Sequence, residues 1–204
     1  MSDKSGVKVL GLHMSPRARG SSARLLESFA AGVKRAGAEY ASVSVSGLDI
    51  KGCSECYRCG ESGVCAVDSD DMGKFYAAWE EVSGWGEAGL SPRIVISTPV
   101  FFYDMPSQGK AVLDRSQAFW VRRYVLGMNK DGIPGAKGFL LACGATKGKD
   151  LFVPVTLAVK YLFDAIGFPK SFQSLTFRQI ERPDKFSQEQ LAEAERAGFE
   201  FAQA

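Results

Sequence analysis

Histidine is nearly absent from this chain of 204 residues, where His13 stands alone. A His-rich zinc hydrolase centre cannot be assembled from one imidazole. A Cys-His or Ser-His-Asp arrangement would have to recruit His13 itself, and no such pattern surrounds it. Long apolar runs are missing too: none approaches the ~20 residues of a membrane span. The chain opens Met-Ser-Asp-Lys without the apolar core of a signal peptide, so a cytoplasmic protein with no membrane attachment is expected. A formal net charge of +2, with no basic run or basic stripe interleaved with aromatics, leaves out the electrostatic footprint of nucleic-acid binding. The segment Ser15 to Ser22 carries neither the Gly-x4-Gly-Lys-Ser/Thr of nucleoside triphosphate loops nor the Gly-x-Gly-x-x-Gly of dinucleotide folds, so ATP hydrolysis is not expected.

What is present is a concentration of sulfur. Four of the five cysteines, Cys53, Cys56, Cys59 and Cys65, follow the spacing Cys-x2-Cys-x2-Cys-x5-Cys. Four thiolates that close suit an iron–sulfur cluster. Structural zinc usually takes two Cys-x2-4-Cys knuckles separated by a longer loop, whereas three of these cysteines share one run. A disulfide is disfavoured by the expected reducing compartment. Cluster, zinc and uncoordinated thiols remain the open readings.

The order of apolar patterns gives the fold class. Val7 to Leu12 reads as a strand, followed by a polar loop and a helix whose apolar residues recur from Leu25 to Val33, with Ser21 or Ser22 as N-cap and Gly37 as stop. Tyr40 to Val45 alternates like a second strand, the cysteine segment follows in a loop, and Ser69-Asp70-Asp71 caps a helix burying Met72, Phe75, Tyr76, Trp79 and Val82. After a glycine-rich turn over 83–92 come a strand at Ile94 to Thr98, a helix from Ser107 past Leu113, and a strand at Phe139 to Cys143. Leu151 to Ile166 is a helix with Pro154 in its first turn; Phe172 to Phe177 is a fifth strand, and Ser187-x-x-Gln190 opens the last helix with a capping box. Five β-α units predict one domain over 1–204: α/β, doubly wound, a five-stranded parallel sheet with helices on both faces, carrying a cysteine loop at 53–65.

In such folds ligands lie beyond the carboxyl ends of the strands, where the loops around Ser15, Pro99 and Gly144 should meet. The first offers the hydroxyls of Ser15, Ser21 and Ser22, amides opened by Gly20 and a helix N-terminus, a set that suits a monophosphate dianion, with Arg17 and Arg19 as further charge.

The stretch His13-Met-Ser-Pro-Arg-Ala-Arg-Gly-Ser-Ser-Ala-Arg-Leu-Leu resembles the phosphate loop of the NADPH-dependent FMN reductase family, whose fold is flavodoxin-like. Cys53, Cys56, Cys59 and Cys65 match, in order and spacing, the motif of the iron–sulfur flavoprotein branch. Thr98-Pro99-Val100-Phe101-Phe102-Tyr103, with Met105-Pro106-Ser107-Gln108 and Leu113-Asp114-Arg115, is similar to the segment bordering the flavin ring. The resemblance implies FMN held by Ser15, Arg17, Gly20, Ser21, Ser22, Pro99, Val100, Phe101, Phe102, Tyr103 and Gly144, and a [4Fe–4S] cluster on the four cysteines. It implies an oxidoreductase linked to NAD(P)H or to a ferredoxin-like protein, assembled as a homodimer or homotetramer. A cluster-free reductase of quinones or flavins and a non-catalytic redox carrier or sensor stand as alternatives, and no side chain is assigned to catalysis. His13 departs from the small residue usual at its position. Cys143 reads as a buried strand residue, and Trp120, Arg122, Arg123 and Tyr124 as a partner-facing insertion or a subunit contact.

Overall fold

The computed structural model describes residues 6–204. Five parallel strands, β1 (Val7–His13), β2 (Glu39–Ser44), β3 (Ser91–Pro99), β4 (Lys137–Gly144) and β5 (Gln173–Arg178), lie in the order β2-β1-β3-β4-β5. This is the doubly wound flavodoxin-like order, and it places the switch point between β1 and β3. The helices are α1 (Ser21–Arg35), α2 (Cys59–Ser62), α3 (Met72–Glu87), α4 (Ser107–Arg115), α5 (Gln117–Tyr124), α6 (Val153–Ala165) and α7 (Gln188–Gln203).

Because side chains alternate across a strand, the near-continuous apolar runs of β1, β3 and β4 feed two cores at once. Val9, Val95, Phe139, Leu141 and Cys143 pack with α1 and α7. Leu10, Leu12, Ile94, Ile96, Leu140 and Ala142 pack on the opposite face with α3, α4 and α6. Cys143 is buried as expected, and burial pushes its thiol up to about 12, which keeps it protonated.

The helix signals were partly misleading. Gly20, not Ser21 or Ser22, is the N-cap of α1, and no side chain caps that end. Asp71 caps α3 without a side-chain bond; the carboxylate that meets Met72 N–H belongs to Asp70. The glycine-rich stretch 83–92 is not a turn throughout: α3 runs to Glu87 because Val82 and Trp85 bury on its inner side. The Ser187/Gln190 capping box forms reciprocally.

α1 and α7 touch backbone to backbone through two glycines. A Cβ on Gly32 would stand 1.9 Å from Glu195 O, and one on Gly198 would stand 2.0 Å from Phe29 O. Gly198→Ala is therefore expected to lower unfolding free energy by about 1–3 kcal/mol, the usual cost of overpacking. Urea denaturation giving a midpoint equal to wild type would sink this account of the helix pair.

Candidate functional site

The loops after β1, β3 and β4 converge at the carboxyl edge of the sheet. Ser15, Ser21 and Ser22 are all buried. Ser15 Oγ accepts Arg17 N–H at 3.2 Å, Gly20 N–H closes back on Arg17 O at 3.2 Å, and Ser97 Oγ donates to Ser22 O at 2.8 Å, fixing the start of α1 to β3. Ser22 Oγ is engaged with His13 Nε2 at 3.0 Å, whereas Ser21 Oγ is buried and has no partner among the described residues. A buried hydroxyl without a partner is costly, and here it sits at an uncapped helix N-terminus whose free amides favour an anion. The cradle fits a phosphate. Arg17 and Arg19 are exposed beside it.

The second loop is a tight turn of aromatics. Phe101 and Asp104 exchange both backbone hydrogen bonds, at 2.8 and 2.9 Å, and this forces Phe102 and Tyr103 to φ of 49° and 66°. Left-handed backbone at bulky residues is strained, and such strain gathers at binding sites. The turn holds Phe101, Phe102 and Tyr103 exposed, Phe102 completely, at the mouth of the sheet. Pro99 is buried and Val100 N–H bonds to Cys143 O at 2.9 Å, so the turn rests on β4. A Cβ on Gly148 would stand 2.3 Å from Tyr103 Oη, so the third loop packs against the second. Gly144 is buried beneath Leu151, so packing accounts for glycine there.

The cysteine loop forms a separate chamber. Cys53, Cys56, Cys59 and Cys65 line one cavity of about 640 Å³ with Arg115 and Trp120. Cys53 and Cys56 are exposed, Cys59 and Cys65 half-buried. Loss of hydration raises the Cys59 thiol, and the other three sulfurs add to that; Arg58 N–H lowers Cys56. Among the described residues no group of three or more potential ligands is drawn together tightly enough for a single metal ion. A tetrahedral zinc with Zn–S near 2.3 Å needs its sulfurs roughly 3.8 Å apart, whereas a cluster spreads its irons and gives each thiolate its own. Four thiols around one chamber are the donor type that either centre uses.

What sequence reasoning missed is the residue that shapes the chamber. Arg115, at the end of α4, is buried at 2% exposure and binds both ends of the cysteine loop: the Lys51 carbonyl before it, and the Val67 carbonyl and Asp70 carboxylate after it. Its Nε has no partner, and the guanidinium also lies beside the Cys65 sulfur. Tyr76 Oη donates to Arg115 O at 2.9 Å. The small helix α5, also unforeseen, holds the loop through Arg122 Nε to Gly63 O at 2.7 Å. Arginine inside an apolar stripe was the available signal.

The sequence profile of the NADPH-dependent FMN reductase family matches residues 7–138, from β1 through the first residues of β4. The chain belongs to the NADPH-dependent FMN reductase family. Among similar proteins, an iron–sulfur flavoprotein of Methanosarcina thermophila is 27% identical over 126 residues, covering 62% of this chain and 60% of that protein. Another from Methanocaldococcus jannaschii is 27% identical over 111 residues, covering 54% and 52%. The chain thus spans little more than half the length of these relatives. The fold is also that of an FMN-dependent NADH-azoreductase from Bacillus anthracis, with a TM-score of 0.64, 14% identity and coverage of 96% and 99%. An NAD(P)H:quinone oxidoreductase from Methanothermobacter marburgensis gives 0.63 at 20% identity, covering 95% and 96%. An archaeal flavodoxin gives 0.52 at 11%, covering 96% of each chain.

Proposed function

We propose that this FMN reductase family member is an iron–sulfur flavoprotein, an oxidoreductase that exchanges electrons between FMN and a [4Fe–4S] cluster held by Cys53, Cys56, Cys59 and Cys65. The observation that carries the reading is the shared chamber: four thiols face one cavity beside a buried guanidinium, joined to the aromatic turn by a single helix. FMN, when bound, takes one or two electrons, while a cluster passes one at a time, so the pair links two-electron and one-electron partners.

The chain's own residues divide the tasks. The Ser21 hydroxyl and the free amides of α1 hold the phosphate. The turn of Phe101, Phe102 and Tyr103 walls the flavin ring and excludes water from one side. Arg115 fixes the chamber and places positive charge against the sulfur of Cys65, where it would offset the negative charge of a cluster with its four ligands. α4 runs from the aromatic turn to the chamber; its nine residues span about 13 Å.

The electron donor is NAD(P)H or a ferredoxin-like protein. The working unit is a homodimer or homotetramer, a reading supported by the exposed apolar residues Trp120 and Tyr124 of α5 and Leu157 and Tyr161 of α6. A single species of monomer mass in sedimentation would remove that assembly.

Protein purified without oxygen is expected to show flavin bands with broad absorption near ~400 nm and about four irons and four sulfides per chain. Flavin without iron or sulfide would leave a plain FMN-dependent reductase, the second reading. No flavin after reconstitution would overturn both.

A further inference from the structure

The lone histidine closes β1, buried at 5% exposure, with both ring nitrogens engaged. Nδ1 stands 3.0 Å from Ser44 Oγ and Nε2 stands 3.0 Å from Ser22 Oγ. Burial lowers its pKa to about 4, so near neutral pH the ring carries one N–H and one lone pair. Two tautomers are then available, and they give the serine at the start of α1 opposite polarity. With hydrogen on Nε2, the ring donates to Ser22 Oγ and accepts from Ser44, whose oxygen still accepts Ser46 N–H at 3.1 Å. The Ser22 hydrogen is then free for a further acceptor. With hydrogen on Nδ1, Ser22 must donate inward to Nε2, and only its lone pairs remain for the phosphate loop, where they repel a dianion.

We infer that His13 is a positioning residue for the flavin phosphate: Ser44, His13 and Ser22 form a donor relay that turns the Ser22 hydroxyl hydrogen toward the bound phosphate. The inference deepens the FMN reading and rests on it. The second observation at this end of α1 is the neighbouring Ser21 hydroxyl, buried and unpartnered. The backbone of Ser22 is already fixed through its carbonyl by Ser97 Oγ, so His13 is left to govern the side chain.

Since the chain has one histidine, protein grown on 15N-histidine shows a single imidazole in its NMR spectrum. In the FMN-loaded protein near pH 7 the expected state is protonated Nε2 and bare Nδ1. Affinities for FMN and riboflavin, which differ by the phosphate, are then compared in wild type and variants. His13→Leu and Ser44→Ala are expected to weaken FMN about tenfold, the worth of one hydrogen bond to a charged group, and to leave riboflavin unchanged. His13→Gln, whose amide nitrogen can donate to Ser22, should keep most of the preference for FMN. Ser44→Ala retains the imidazole, so the comparison survives if His13→Leu folds poorly. A holoprotein with hydrogen on Nδ1, equal losses for both flavins, or an FMN preference undiminished in His13→Leu and Ser44→Ala would each overturn the relay while leaving flavin binding in place. Wild-type protein that binds FMN no tighter than riboflavin would overturn the phosphate cradle and the relay together.

Discussion

Replacing Arg115 with leucine is expected to lower the free energy of unfolding by about 3–5 kcal/mol, the cost of leaving one member of a buried ion pair without its partner. The side chains of Arg115 and Asp70 are both fully out of solvent. Loss of hydration opposes charge on both: it pulls Arg115 down and pushes Asp70 up. The pair nevertheless holds, with Asp70 and Cys65 raising Arg115, and Lys51 N–H, Arg115 and Met72 N–H keeping Asp70 below the usual carboxylate range. A depressed carboxylate contributes stability that is present above its unfolded pKa and is lost as pH falls through its folded value, so the pair weakens in acid.

The variant should also free the loop between Lys51 and Asp70, because the guanidinium binds at each end of it. Proteolysis within 52–66 should then accelerate at pH 7. Arg115→Lys keeps the charge but lacks the planar fork that reaches two carbonyls and a carboxylate together, and should recover only part of the loss. Adding Asp70→Asn to Arg115→Leu removes the stranded charge, so the double variant should be less destabilised than the two single effects summed. A loss below about 1 kcal/mol for Arg115→Leu, near the value of an exposed pair, would sink this account.

The second large effect concerns pH. His13 titrates at 6.5 in an unfolded chain and at about 4 in the folded protein, because burial disfavours the imidazolium. Above pH 6.5 it is neutral in both states. Below that, the unfolded chain takes up a proton that the folded protein refuses, so stability falls until the folded value is reached, by ~3 kcal/mol over the whole interval. The ionisable neighbours in the same cavity are Glu27 and Lys34 of α1 and Tyr40 of β2. They remain in His13→Gln, so the quantity to measure is the difference in pH slope between wild type and that variant. Urea midpoints that decline in parallel from pH 7 to 4 would show that His13 is not the group refusing the proton.

Much of this protein was legible as pattern. The apolar runs of β1, β3 and β4 could only be strands covered on both faces, and their alternation with amphipathic helices implied a parallel sheet. Ser187 and Gln190 announced their helix start because a capping box is local in sequence. Where side chains had a choice of partner, sequence reading failed. Ser22 resembled a cap and is instead hydrogen-bonded to His13, 9 positions away. Ser69-Asp70-Asp71 read as one cap, and the structure divides it: Asp71 is the N-cap without a side-chain bond, while Asp70 accepts Met72 N–H and pairs with Arg115, 45 positions away. The glycines at 84 and 86 looked like a turn, but the burial of Trp85 continued the helix through them.

The sequence by itself determined the doubly wound class, the presence of four clustered thiols and the polar loop that opens α1, since period, spacing and local backbone chemistry are written along the chain. Only the tertiary structure decided that a buried arginine closes the cysteine chamber, that Ser21 is the serine left without a partner, and that the lone histidine stands between two serines. Each of those depends on which distant group is brought within about 3 Å, the reach of a hydrogen bond, and that is fixed by packing between elements rather than by order within them.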